Sequence, residues 1–141
     1  MFWGIISGKY GKGLDIFWEK SWGKINRFSY SERIIPPLHE YLQSHPGLQF
    51  QQDGGPGHTA KYTKEQFAAY GISLIWWPPF SPDLSLIEKK DPIIHQNYKR
   101  LRAAVIEAWE SITDAEIRDI IRQMPERCQA VIDANGMYTK W

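Results

Sequence analysis

Two carboxylates stand out by where they sit in the chain. Asp53 closes the alternating run 48–52 and opens a Gly-Gly-Pro-Gly-His loop that carries His58. Glu88 follows the apolar run 72–77, two prolines and a Ser81-Pro82-Asp83 turn. Each acid therefore lies just beyond the end of a predicted strand, and strand ends in open α/β sheets are where ligand sites are built. Carboxylates in such places are hard oxygen ligands of the kind magnesium takes together with waters. Each acid also has a purely local use. An aspartate before two glycines serves as a turn residue, and Ser85-Leu86-Ile87-Glu88 reads as a helix capping box. His58 either stands behind the ligands or closes the loop onto the following helix, and Asp83 caps the turn into the next helix.

The residues around both acids carry a family resemblance. Gln52-Asp53-Gly54-Gly55-Pro56-Gly57-His58-Thr59-Ala60 is similar to the QDNAPxHxA signature of mariner-type transposases, in the Tc/mariner superfamily. Pro78-Pro79-Phe80-Ser81-Pro82-Asp83-Leu84-Ser85-Leu86-Ile87-Glu88 resembles their PPYSPDLNPIE. Residues 54–87 separate the two acids, a spacing that family uses. Phe2-Trp3-Gly4-Ile5-Ile6 is similar to its VWG strand, and residues 101–136 resemble its C-terminal helical tail. The likeness covers most of the chain and is weakest over 89–100.

The resemblance implies a DDE catalytic domain of RNase H-like fold, in which three acids hold two divalent metals, Mg2+ or Mn2+. One metal activates the attacking hydroxyl and the other stabilises the leaving oxygen of the phosphodiester. Asp53 matches the family's second aspartate and Glu88 its final glutamate, so the resemblance makes both catalytic and metal-ligating, with His58 behind them. The family's first aspartate lies on a strand ahead of VWG, whereas here Met1 directly precedes Phe2-Trp3-Gly4. An N-terminally truncated, inactive fragment is the expectation. Two departures accompany it. Gly54 replaces the family's asparagine, and Lys89-Lys90-Asp91-Pro92 follows Glu88 where the family runs a long helix, which Pro92 must stop or kink.

Composition sets outer limits. The 141 residues suit a single domain over 1–141. A hydrophobic share of 43% and a charged share of 23% are those of a soluble globular protein. Aromatics reach 14%, with 7 Trp, which points first to core and groove packing and second to base stacking. A net charge of +1 excludes a global basic field. Lys61, Lys64, Lys89, Lys90, Lys99 and Arg100 are the candidate phosphate contacts, and a solvated helix face explains the 89–102 cluster equally well. Cys128 is alone, so neither an internal disulfide nor a cysteine zinc cluster arises. Residues 1–10 lack a basic leader, and no apolar run approaches the ~18 residues of a membrane span. The chain is expected not to be secreted and to have no membrane partner. It is expected to be nuclear if eukaryotic and cytoplasmic otherwise.

The predicted elements are strands 2–7 and 14–19 around a glycine-rich turn, then a helix 29–44 that Pro36-Pro37 must kink or split. A strand 48–52 follows, then a helix 63–70 started by a Thr63–Gln66 capping box and ended at Gly71, then a buried strand 72–77. Residues 97–141 read as a helical tail: a stripe through Leu101, Val105, Ala108, Trp109 and Ile112, a capping box at Thr113–Glu116, Pro125 in a first turn, and Asn135-Gly136 as a stop. The fold class is α/β: an RNase H-like mixed sheet lacking its first strand, with a C-terminal helical tail. An unsatisfied buried strand edge costs about 1–3 kcal/mol per group, so the 2–19 hairpin is expected to move in and pair directly with 48–52. The expected function is DNA strand cleavage and transfer, with transposon-end DNA as partner and with self-association. The alternative is a non-catalytic module, derived from a transposase, that binds nucleic acid or a protein.

Overall fold

The computed structural model describes residues 1–75, 77–78 and 98–140. Glu88, Lys89, Lys90 and Asp83, and the motif around them, lie outside the described residues. The chain divides into two compact units, Met1–Ile5 with Gly13–Pro82, and Ile6–Lys12 with Asp83–Trp141.

The first unit is organised by a hairpin base and one long helix. Strands β1 (Phe2–Ser7) and β2 (Gly11–Phe17) form a two-stranded sheet. Its open end is fastened by the Phe2–Phe17 ring pair at 4.8 Å and by the Trp18 amide donating to the Met1 carbonyl at 2.9 Å. Helix α1 (Arg27–Ser44) begins at Asn26, whose side-chain oxygen accepts from the amides of Phe28 and Ser29. The Ser29 hydroxyl accepts in return from the Asn26 amide, which makes a capping box with serine in the place usually held by Glu or Gln.

Pro36 and Pro37 do not split the helix. The missing amides remove the bonds that the carbonyls of Glu32 and Arg33 would accept within the helix, and both residues are exposed, where solvent can replace them. Meanwhile Tyr30, Ile34, Ile35 and Leu38 are fully buried against Phe50, Phe67 and Ile72, with Trp3, Ile5, Ile16 and Leu74 packed around them. Burying side chains of this size is worth roughly 1.5–3 kcal/mol each, enough to outweigh the backbone bonds the prolines remove.

A short helix α2 (Pro56–Thr59) precedes α3 (Lys61–Ala69). The expected capping box at Thr63 is not formed. Thr63 lies inside α3, is fully buried, and donates its hydroxyl to the Gly57 carbonyl at 2.6 Å, tying α2 to α3. Gly71, at φ +66, ends α3 in the left-handed region as expected, and the Ile72 amide donates back to the Phe67 carbonyl.

The predicted strands at 48–52 and 72–77 are reduced to one parallel bridge, Phe50 with Leu74, and the Ile75 amide donates to the Phe50 carbonyl at 2.9 Å. Ile72 spends its amide on the helix end, so a ladder cannot start there. Direct pairing of the hairpin with 48–52 is likewise absent among the described residues. Side chains make the approach instead, with the Trp3 ring 6.3 Å from that of Phe50.

The second unit joins the hairpin tip to helices α4 (Tyr98–Ser111), α5 (Asp114–Arg122) and α6 (Met124–Asp133). Trp109 and Ile117 are its buried apolar residues among those described, and Ala108 of the expected stripe is exposed. Lys12 donates its ammonium to the carbonyls of Trp109 and Glu110 at the end of α4, where the Trp109 carbonyl also accepts from the Ile112 amide at 3.3 Å. Thr113 and Glu116 form the expected capping box. Asn135 and Gly136 turn left-handed after α6. Among the described residues no helix is long and apolar enough to cross a membrane.

Candidate functional site

The Asp53 loop is held from beneath by α1. Tyr30 is fully buried there and donates its hydroxyl to the Gln52 side-chain oxygen at 2.7 Å. Burial pushes the Tyr30 phenol well above its ordinary range; a hydrogen bond with Trp3 opposes the shift and the Asp53 charge adds to it. The phenol therefore stays protonated, as its role of donor requires. The Tyr30 ring also lies 4.5 Å from the His58 ring. Residue 52 is thereby fixed, and the next residue, Asp53, is delivered to the surface.

Asp53 Oδ1 accepts from the Gly55 amide at 3.2 Å, an Asx turn, and from His58 Nδ1 at 2.5 Å. An ionised carboxylate only accepts, so Nδ1 carries the proton and the imidazole presents Nε2 on its other side. His58 is placed by α2, where Pro56 occupies the first turn and supplies its preset φ. The Asp53 side chain is 49% exposed and that of His58 24%. Both local readings of the sequence thus hold together: Asp53 is a turn aspartate, and His58 closes the loop onto the following helix.

As a metal site the described part is incomplete. Asp53 Oδ1 is already engaged by two donors, and Nδ1 of His58, as a donor, is not a ligand. Among the described residues no three of His, Cys, Asp or Glu gather in a group able to hold a metal. Asp15 is exposed on β2 and, among the described residues, makes no such group with Asp53 and His58. What is present suits a hard cation as one braced carboxylate ligand among several.

The candidate phosphate contacts fall into two sets. Lys61 opens α3, with Glu65 at 3.8 Å across one turn, and Lys64 follows it on the same helix. Lys99 and Arg100 stand in the first turn of α4. Tyr30 was missed as a site residue, although it falls at i−4 to Ile34 and i−8 to Leu38, so the helical stripe already pointed to it.

No protein-family model matches the chain. Single relatives do. The Tcb2 transposase of Caenorhabditis briggsae is 32% identical over 151 aligned positions, covering 100% of this chain and 54% of that protein. The Tc1 transposase of Caenorhabditis elegans is 38% identical over 127, covering 83% of this chain and 46% of that protein. The chain is a homologue of Tc1/mariner transposases. It spans about half the length of these curated relatives.

Solved structures of Mos1 transposase supply the fold. Its paired-end complex with the left transposon end superposes with a TM-score of 0.73 over 97% of this chain and 44% of that one, at 18% identity. Its catalytic domain with raltegravir and Mg gives 0.65 over 83% and 66%, at 19% identity. The Tc1/mariner homologue therefore has the mixed α/β architecture of the Mos1 catalytic domain, an RNase H-like fold.

Proposed function

We propose that this chain carries the scaffold of a DDE transposase for DNA strand cleavage and transfer. Asp53 and Glu88 act as two of its metal-holding carboxylates. The observation that carries the reading is the braced Asp53, oriented by His58 and the Gly55 amide within a Gln-Asp…His motif, in a chain that aligns along its whole length with a transposase. Bound Mg2+ or Mn2+ would supply Lewis-acid stabilisation of the attacking and leaving oxygens. The residues themselves do the positioning. Tyr30 and Gln52 set the height of Asp53, and His58 holds one carboxylate oxygen so that the other faces solvent and the DNA. Lys61, Lys64, Lys89, Lys90, Lys99 and Arg100 are proposed to meet phosphates, with transposon-end DNA as substrate and a second copy of the chain as partner. In a eukaryotic host the substrate implies a nuclear location.

Magnesium is held by one or two protein carboxylates only together with waters or phosphates, so Asp53 and Glu88 alone are expected to bind divalent ions weakly and not to cut DNA. The second reading is a non-catalytic nucleic-acid or protein-binding module, with the exposed Lys61 on α3 as a contact. Calorimetric titration with Mn2+ and a plasmid-nicking assay address both. The expected result is binding weaker than micromolar, lost in Asp53→Ala and in Glu88→Ala, without nicking. Binding unaffected by either substitution rejects the shared metal site. Nicking abolished by Asp53→Ala rejects the inactivity.

A further inference from the structure

Helix α2 has four residues, too few to hold itself together, since a first helical turn costs more in ordering than its hydrogen bonds return. The amides of His58 and Thr59 and the Thr59 hydroxyl all donate to one carbonyl, that of Gly55. Packing at the loop glycines adds little. A Cβ built at Gly54 or Gly57 meets nothing within 4 Å, so neither residue rests against the body of the unit. Contacts from outside the loop must therefore fix α2, and the place of His58 depends on them, because His58 sits on α2 and holds Asp53 Oδ1. Two such contacts come from the core. The Tyr30 ring lies 4.5 Å from the His58 ring, and the Thr63 hydroxyl donates to the Gly57 carbonyl at 2.6 Å.

The Thr63 bond differs from ordinary local satisfaction of a buried hydroxyl. Within a helix such a group usually donates one turn back along its own helix, as Ser31 does in α1 to the Arg27 carbonyl at 2.7 Å. Thr63 is the third residue of α3, so no carbonyl of α3 stands four residues behind it. Its hydroxyl crosses to α2 instead. Thr63 and Phe67, one turn further along α3, are 0% and 1% exposed, and Phe67 belongs to the cluster that also holds Tyr30 and Ile34. The donor is thus anchored on the same core as the Tyr30 ring. At the other end, the His58 ring and the Asp53 carboxylate close tightly over Gly55: a Cβ there stands 3.2 Å from Nδ1 and 3.3 Å from Oδ1. A small pivot of α2 disturbs that closure.

We propose that Thr63 is a positioning residue for Asp53: its hydroxyl, acting through the Gly57 carbonyl and α2, holds His58 where Nδ1 donates to Asp53 Oδ1. While that bond stands, the carboxylate cannot turn over and Oδ2 keeps one direction. Without the hydroxyl, α2 pivots, the imidazole loses its fixed tautomer, and the Asp53 carboxylate rotates about its own side-chain bond. The consequence for a metal rests on the reading of Asp53 as a metal-holding carboxylate, whereas the tether to His58 does not. Loss of a group that supports a ligand typically lowers metal affinity by about 10–100-fold. Thr63 stands one step further back than His58, so the lower end of that range is expected.

The test compares the full chain with Thr63→Val, which keeps the shape and removes the hydroxyl, and with Thr63→Ser, which keeps the hydroxyl. In EDTA, the ring nitrogen shifts of His58 and the amides of 53–58 are followed by NMR. The unaltered chain and Thr63→Ser should show the proton on Nδ1. Thr63→Val should show a mixture of the two tautomers, with the 53–58 amides displaced and those of α1 unmoved. Mn2+ titrated into the metal-free samples should bind about tenfold more weakly to Thr63→Val and with unchanged affinity to Thr63→Ser. An unchanged tautomer in Thr63→Val overturns the proposal. So does a serine variant that behaves like valine, which assigns Thr63 to packing of its methyl group, and so does Mn2+ affinity that survives a changed ring. If Thr63→Val does not fold, Thr63→Cys, with its weak S–H donor, should give the same ring change in part, and an unchanged ring there also overturns the proposal. Absence of Mn2+ binding in the unaltered chain, with the ring responding as expected, removes the metal reading and leaves the tether. Mn2+ bound equally by all, with the ring unchanged, removes the tether and leaves the metal reading.

Discussion

The two units of the chain are stabilised in different ways. The unit around α1 is held by residues far apart in sequence: Tyr30 and Leu38 meet Phe50, Phe67 and Ile72 in one buried cluster. The unit of α4–α6 buries Trp109 and Ile117 among its described residues, and its helix ends are finished by individual side chains, Lys12 on α4 and Thr113 with Glu116 on α5. Packing dominates the first, termini the second. The Asp53 site is built on the first, so the position of its carboxylate depends on a core and not on a cap.

The sharpest way to break that contrast is to hollow the core. Leu38→Ala should cost about 2–5 kcal/mol, seen as a fall in the denaturant midpoint. It should also perturb the amides of 52–58, since α1 carries the floor of the loop. In the second unit the corresponding vulnerability is backbone geometry. Gly11, at φ +71, leaves no room for a Cβ beside the Asp114 carboxylate. Gly11→Ala should therefore cost about 1–3 kcal/mol, measured in the same way, and should leave the Asp53 loop amides unmoved.

Tyr30→Phe refines the comparison. Removing the hydroxyl leaves the Gln52 oxygen without its donor, a loss of about 1 kcal/mol. The pH dependence is also specific. The folded phenol has a pKa above the ordinary 10.0, so the folded state holds this proton more tightly than the unfolded chain does. Its contribution is complete below pH 10.0 and is lost as pH rises from there toward the higher folded value. Tyr30→Phe should flatten that part of the stability curve in a denaturation series. At the small end, Lys61→Ala should change stability by less than about 0.5 kcal/mol, because its pair with Glu65 is long and both side chains are exposed.

The same contrast explains what was legible in the sequence. Thr113–Glu116, Pro125 and Asn135-Gly136 are signals complete within a few residues, and α5 and α6 begin and end where those signals say. The first hairpin strand and the left-handed Gly71 were equally local. Thr63–Gln66 carries the same capping pattern as Thr113–Glu116, yet Thr63 points inward to Gly57, because the fold of α2 starts α3 earlier. Runs 48–52 and 72–77 have strand composition, but a strand exists only where a neighbour completes it, and one bridge is all they form. Pro36-Pro37 read as a break because the sequence does not display the buried cluster that holds α1 together. At the site, the turn made by Asp53 was readable from the two glycines that follow it, and the sequence left the role of His58 open. The floor made by Tyr30 was readable only as a helix stripe. Glu88 lies outside the described residues, so its partnership with Asp53 remains a proposal.

That partnership is the central claim, and paramagnetic broadening by Mn2+ tests it most directly, since it detects weak binding and reports position. Substoichiometric Mn2+ added to the chain should broaden the amides around Asp53 and His58 together with those around Glu88, and Asp53→Asn should abolish both sets at once. Broadening at Asp53 alone, or at Glu88 alone, or the survival of the Glu88 set in Asp53→Asn, would show that the two carboxylates do not share a metal and would contradict the account.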